Sequence, residues 1–148
     1  MEIRNDYREL LALLNAHRVE YVIVGAHALA FHGTPRLTGD IDIFVRPSAD
    51  NAERILSALD DFGFGSLDLA INDFENLDSV VQLGVPPVRI DILTSITGVT
   101  WEEADAGKIE GSYAGLPVFF LGRTQYIANK RTLGRKKDIA DLESLGEG

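Results

Sequence analysis

The segment Gly39-Asp40-Ile41-Asp42-Ile43-Phe44-Val45 sets two carboxylates into an otherwise apolar run. A strand alternates its side chains with period 2, so Asp40 and Asp42 project from one face. Ile41, Ile43 and Val45 then face the other way, into a core. Val88-Arg89-Ile90-Asp91-Ile92-Leu93 repeats the arrangement, with Val88, Ile90 and Ile92 on the apolar side. If the two strands are neighbours, Asp40, Asp42 and Asp91 converge on one surface. Like charges at close range raise one another's pKa and oppose folding unless a cation compensates them. Mg²⁺ suits such a cluster, because it prefers oxygen ligands and commonly binds one or two carboxylates together with substrate phosphates. Two such ions about 3.5–4 Å apart can stabilise both oxygens of an in-line phosphoryl displacement. The plainer alternative is an Asp-x-Asp pair on a solvated strand face, and a third Asp in the same strand context argues against it.

Composition narrows the setting of these acids. The chain has 148 residues, 45% hydrophobic and 25% charged, which suits a single globular domain over residues 1–148. No apolar run approaches the roughly 20 residues that span a bilayer. The N-terminal residues lack the basic-then-apolar order of a signal peptide. Zero Cys excludes disulfides and Cys-ligated zinc or iron–sulfur sites, and agrees with a cytoplasmic setting. A net charge of −9 and a pI near 4.7 argue against broad binding to nucleic acid, and disfavour an extended polynucleotide substrate. The charge is uneven. Residues 50–79 hold eight acids against one base, Arg54, whereas residues 123–137 hold six bases and no acid. That basic stretch marks a local anion site.

Helix and strand signals alternate along the chain. Leu10, Leu11, Leu13 and Leu14 put an apolar stripe on a helix over roughly 5–16. Tyr21–Val24 is a β-branched run ended by Gly25, and reads as a buried strand. A short helix over 26–32 closes at Gly33, and the strand at 41–45 stops at Pro47. Ser48 caps a helix over 49–62. Val80–Leu83 and Val88–Leu93 read as two strands joined by Gly84-Val85-Pro86-Pro87. A strand at 117–121 precedes a helix capped by Thr124, and a last helix runs over 136–145. The expected class is α+β, a mixed sheet with helices packed on it.

Two further features point to an anion. The Val24-Gly25-Ala26 junction joins a strand to a helix start, where free N–H groups and the positive dipole end suit phosphate. Steric need alone also puts Gly at many such turns. Lys136 and Lys137 occupy the first turn of the last helix, where the dipole disfavours cations by about 0.3–1 kcal/mol each. Asp138 relieves this in part, and a bound triphosphate would relieve it further. Lys130 and Tyr126, four apart on the preceding helix, share a face.

Together these motifs resemble the nucleotidyltransferase superfamily, the DNA polymerase β-like fold. The pattern is a strand ending at Gly25-Ala26, a short helix, Asp40-Ile41-Asp42, and a third Asp in Arg89-Ile90-Asp91. The stretch from His27 to Val45 is similar to small bacterial nucleotidyltransferase-like proteins, as is the basic close from Ile127 to Leu142. The resemblance covers nearly the whole chain. It implies that Asp40, Asp42 and Asp91 hold Mg²⁺, two ions being possible, and that Asp91 helps activate the attacking hydroxyl. It further implies that Gly25 and the backbone of Ala26 approach an NTP's triphosphate, with Lys130 and Lys137 as basic contacts. The implied activity is transfer of a nucleoside monophosphate from the NTP to an acceptor hydroxyl. Ala26 stands where the family usually has Gly or Ser, so a hydroxyl contact to phosphate is missing.

Arg36, four residues before Asp40, could reach a carboxylate or a phosphate; a loop-stabilising ion pair is the alternative. His32 beside Gly33 reads as a helix C-terminal cation, and Trp101, Phe119 and Phe120 as core or partner-facing residues. Two further functional classes remain: a binding or regulatory module that kept the fold, and a toxin-type transferase of a toxin–antitoxin pair. A partner chain or a second copy could complete the site.

Overall fold

In the computed structural model the described residues are 3–33, 39–65, 67–85 and 88–147. The first helix, α1 (Ile3–Ala16), leads into the strand β1 (Tyr21–Val24), the seven-residue helix α2 (Gly25–Phe31) and the strand β2 (Asp40–Val45). Helix α3 (Ala49–Leu59) begins as expected at Ser48, whose hydroxyl accepts from the N–H of Asn51 at 3.2 Å. It ends three residues earlier than the expected 62. A π-type turn over Asp60–Phe64 follows, in which Gly63 takes φ 104°, a left-handed conformation open to glycine.

The short helix α4 (Ile71–Glu75) precedes an antiparallel pair, β3 (Val80–Leu83) and β4 (Arg89–Leu93). Then come α5 (Trp101–Gly107), a second antiparallel pair, β5 (Ile109–Tyr113) and β6 (Leu116–Phe120), and the closing helices α6 (Arg123–Leu133) and α7 (Lys136–Ser144). Thr124 does not cap α6. The N-cap is Gly122, and Thr124 lies inside the first turn.

The strands form one six-stranded sheet of order β3-β4-β2-β1-β6-β5. It is mixed: β1 runs antiparallel to β2 and parallel to β6, and β2 runs parallel to β4. Parallel neighbours need a long crossover, and the one from β2 to β4 carries α3, α4 and β3. The expected α+β class with a mixed sheet is what the chain adopts.

Both faces of the sheet are covered. On one, Ile41, Ile43, Val45, Ile90 and Ile92 pack with Leu10, Leu11 and Leu14 of α1 and Ala52, Ile55 and Leu59 of α3. On the other, Val22, Val24, Phe44 and Leu121 meet Ala28 and Leu29 of α2, Trp101 and Ala104 of α5 and Tyr126 of α6. Burying a side chain of this size contributes about 1.5–3 kcal/mol. The period-2 pattern of β2 is therefore anchored by Ile41 and Ile43 in the first core, and a one-residue slip would bury both acids there. Among the described residues no helix is long and apolar enough to cross a membrane.

Candidate metal and phosphate site

Strand register brings the acids together. In the parallel β2–β4 ladder Asp42 lies beside Asp91, and Asp40 beside Arg89. One carboxylate oxygen from each of Asp40, Asp42 and Asp91 lies within 4.8 Å of the others. Asp91 is buried, with 5% of its surface exposed, while Asp40 and Asp42 are half-buried.

Arg89 is the cation inside this cluster. Its Nε and Nη2 donate to the two oxygens of Asp91 at 3.0 and 2.8 Å, and Nη2 stands 3.6 Å from Asp40 Oδ2. A bidentate pair of this kind holds a carboxylate in a fixed plane. Among the described residues, one guanidinium stands against three carboxylates. Asp42 is the acid left over: burial, and then the charges of Asp40 and Asp91, push its pKa up to about 7. Tyr7 of α1 feels the same field. Burial first, and Asp40 next, raise its phenol to about 12, and its hydroxyl donates to the Arg89 carbonyl at 3.1 Å. His27 of α2 packs edge-on against Tyr7, with centroids 5.7 Å apart. Burial lowers its pKa, partly offset by a bond to the Asp40 backbone and by the Asp40 charge.

Gly25 leaves the room that this cluster needs. It takes φ +68°, and a Cβ built on it would run into Asp42 Oδ2. Any larger residue would be strained by the backbone angle and would crowd the carboxylate. The glycine ending β1 is thus required both by the turn and by Asp42.

A recess of about 260 Å³ opens beside Asp42, walled by Gly25, Ser95, Asn129, Lys130 and Arg135 among others. Lys130 lies over the ring of Tyr126 at 5.5 Å, as the four-residue spacing implies. Its ammonium is 3.3 Å from Asp138 Oδ1 and 3.4 Å from Asp141 Oδ2, with 11% of the side chain exposed. Arg135 donates through Nε and Nη2 to Asp138 at 2.6 and 3.1 Å. The N–H of Arg135 also bonds to Asp138 at 3.1 Å, so the acid caps α7. The Arg135 hydrogen bonds lower the pKa of Asp138 to about 2, with Lys130 helping. Asp138 therefore compensates the first turn of α7 more fully than its place in the sequence suggests.

The structure gathers Asp40, Asp42, Asp91, Gly25 and Lys130 into one region. Ala26 is half-buried in the first turn of α2 and Lys137 is exposed on α7; neither lines the recess. Arg36 lies outside the described residues. His32 is a structural pin, its Nε2 at 2.8 Å from the Leu121 carbonyl. Trp101 and Phe120 are core residues, with 6% and 3% exposed.

Sequence reasoning missed Arg89, Arg135 and Tyr7. Arg89 carried a signal, since it precedes Asp91 by two on the same strand and so shares its face. Arg135 sat in the basic stretch, three residues before Asp138, at the N-cap of α7. Nothing local distinguished Tyr7, which reaches the site through packing of α1 across the sheet end.

No protein-family description and no curated protein sequence matches the chain. Solved structures do. A candidate nucleotidyltransferase from Thermotoga maritima superposes with a TM-score of 0.61 at 19% identity, covering 96% of this chain and 91% of its own. An antigenic nucleotidyltransferase-like protein from Paracoccidioides brasiliensis superposes with a TM-score of 0.58 at 16% identity, covering 99% and 74% respectively. The chain has a nucleotidyltransferase-like fold.

Proposed function

We propose that the chain is a Mg²⁺-dependent nucleotidyltransferase, moving a nucleoside monophosphate from an NTP to an acceptor hydroxyl with release of pyrophosphate. One observation carries this reading: the carboxylates of Asp40, Asp42 and Asp91 meet within 4.8 Å, beside a recess walled by Lys130 and Arg135. The donor set fits the ion. Three carboxylate oxygens are hard ligands, and Gly25 has no Cβ to crowd Asp42.

Asp40, Asp42 and Asp91 would hold one or two Mg²⁺. When bound, the metal supplies charge neutralisation at the transferring phosphoryl group and at the attacking and leaving oxygens. The chain's own residues do the rest. Lys130 and Arg135 would meet the triphosphate, with Gly25 and the Ala26 backbone close to it and Lys137 at the periphery. Asp138 and Asp141 hold the Lys130 ammonium at 3.3 and 3.4 Å, so part of its ordering cost is met before substrate arrives. Asp91, oriented by Arg89, would accept the proton of the acceptor hydroxyl.

The test is transfer of label from α-phosphate-labelled NTPs, with Mg²⁺ or Mn²⁺, to a panel of candidate acceptors. Asp42→Asn abolishes transfer while leaving the far-UV circular dichroism unchanged; full activity in that variant would sink the metal assignment. The bidentate grip of Arg89 on Asp91 favours a second reading, a binding or regulatory module whose third carboxylate is already neutralised. Calorimetry separates the two, because the module shows no Mg²⁺-dependent NTP binding at millimolar concentrations.

A further inference from the structure

We propose that the outer edge of β3 is a docking site for an extended, basic segment of a partner protein, which adds to the sheet as a further strand. β3 ends the sheet, with β4 on its inner side, and among the described residues no strand lies beyond it. Such an edge presents main-chain N–H and C=O groups that a new strand can pair with. The register says which ones. The Thr94 N–H donates to the Ser79 carbonyl at 3.0 Å, so these two form a hydrogen-bonded pair. Such pairs alternate with open ones along an antiparallel ladder. Val81 and Leu83 therefore also turn their main chain toward β4, opposite Ile92 and Ile90. Val80 and Gln82 turn theirs outward.

The side chains suit an added strand. Val81 and Leu83 pack into the core with α1 and α3, which holds the strand in place. The opposite face is open: α2, α5 and α6 cover the middle of the sheet and leave Val80 and Gln82 exposed. Among the described residues the three most exposed large apolar side chains are Val85, Leu77 and Val80, at 74, 66 and 54%. All three lie on β3 or just beside it. The other edge strand, β5, carries Glu110 at an exposed position, a usual guard against pairing. β3 carries no charge. A recess of about 390 Å³, lined by Leu77, Thr94, Ser95 and Ile96 among others, lies at the start of this edge. In strand addition the main chain gives affinity, and recesses for alternate side chains give specificity.

Charge chooses the occupant. Residues 55–88 hold six acids and no Lys, Arg or His. Asp73 accepts from the Ala70 N–H and Asp78 from the Ser95 hydroxyl, neutral donors that leave both charges in place. A second copy would bring the same acid-only segment against itself, in a chain already at −9, and like charges oppose that contact. A segment bearing Lys or Arg is attracted instead. Asp78 and Gly84, left-handed at φ 61° and 74°, bound the edge, so the occupant pairs over the four residues of β3.

The probe is the peptide acetyl-Lys-Val-Lys-Val-Lys-Val-amide, titrated into the full chain and followed by amide hydrogen exchange and calorimetry. It slows exchange at the Val80 and Gln82 N–H groups. The same peptide with Glu in place of Lys binds about tenfold more weakly. Val80→Pro removes one outward donor and spares the ladder to β4, and weakens the Lys peptide about three- to tenfold. Val80→Lys, at an exposed position, sets a like charge on the edge and also weakens it. Unchanged exchange at Val80 and Gln82 with millimolar Lys peptide overturns the proposal, as does equal binding of the Glu peptide. A chain that sediments as a dimer, and as a monomer once Val80→Lys is made, has a second copy on this edge and overturns it too. No readout uses NTP or metal, so the outcome is independent of the proposed transfer activity.

Discussion

Two clusters of charge face each other across the recess, and they are balanced differently. Around Asp138, two cations, Lys130 and Arg135, meet two acids, Asp138 and Asp141. Around Asp42, among the described residues, Arg89 meets three acids. The pKa values follow the balance in opposite directions: Asp138 falls to about 2 and Asp42 rises to about 7. The first cluster is complete as folded. Among the described residues the second has fewer cations than acids, and its three converging carboxylates make it a candidate for a divalent cation.

The contrast predicts opposite pH dependences. Asp42 holds its proton more tightly folded than unfolded, so in chelator its contribution to stability falls as pH rises from about 4 to about 7, then levels off. The loss is at most about 4 kcal/mol. Chemical denaturation across this range checks it, and Asp42→Asn should flatten that limb. Mg²⁺ should restore stability at pH 8 and do little at pH 4. Asp138 works in reverse: its stabilisation is present above about pH 4 and disappears as pH falls toward 2. A stability curve in chelator that rises from pH 4 to 7 would break the comparison.

Next in size is the removal of the acid from the balanced cluster. Asp138→Ala strips Arg135 of its partner and Lys130 of one of two, and should cost about 3 kcal/mol, the lower end for breaking a buried pair. Denaturant unfolding at neutral pH measures it. The smallest expected effect is at Arg89. Arg89→Met makes the carboxylate cluster more negative, so divalent cation should bind about tenfold tighter, while the metal-free protein loses stability at pH 8 more than at pH 5. Calorimetric titration of the metal alone reads the first change. Weaker metal binding in this variant would show that Arg89 orients Asp91 for the ion instead of standing in for it.

Much of the fold was legible because its strands are short apolar runs bounded by Gly or Pro. Tyr21–Val24 and Val80–Leu83 match to the residue, and the acids of β2 and β4 lie on one face because the period is 2. β5 was missed for a physical reason: Ile109-Glu110-Gly111-Ser112-Tyr113 is an edge strand with Ile109 and Glu110 exposed, so it carries no buried alternation. α5 was missed as well: Thr100 and Glu103 form a reciprocal cap at its start, but seven residues hold too few turns to show an apolar stripe. The cap expected at Thr124 failed because Gly122 already occupies the boundary, leaving the hydroxyl inside the helix.

The sequence alone determined which residues share a strand face and which positions are charged, since period and charge are local properties. It could pair Asp40 with Asp42 and set Asp91 on a like strand. Only the tertiary structure decided that β2 and β4 are parallel neighbours in the register that joins Asp42 to Asp91. It also decided that Arg89 faces the acids, that Gly25 yields space to Asp42, and that Lys130 reaches the recess from α6. Those outcomes depend on how whole elements pack across the sheet, where burial of Ile41, Ile43, Ile90 and Ile92 dictates register. Charge follows where the apolar side chains must go.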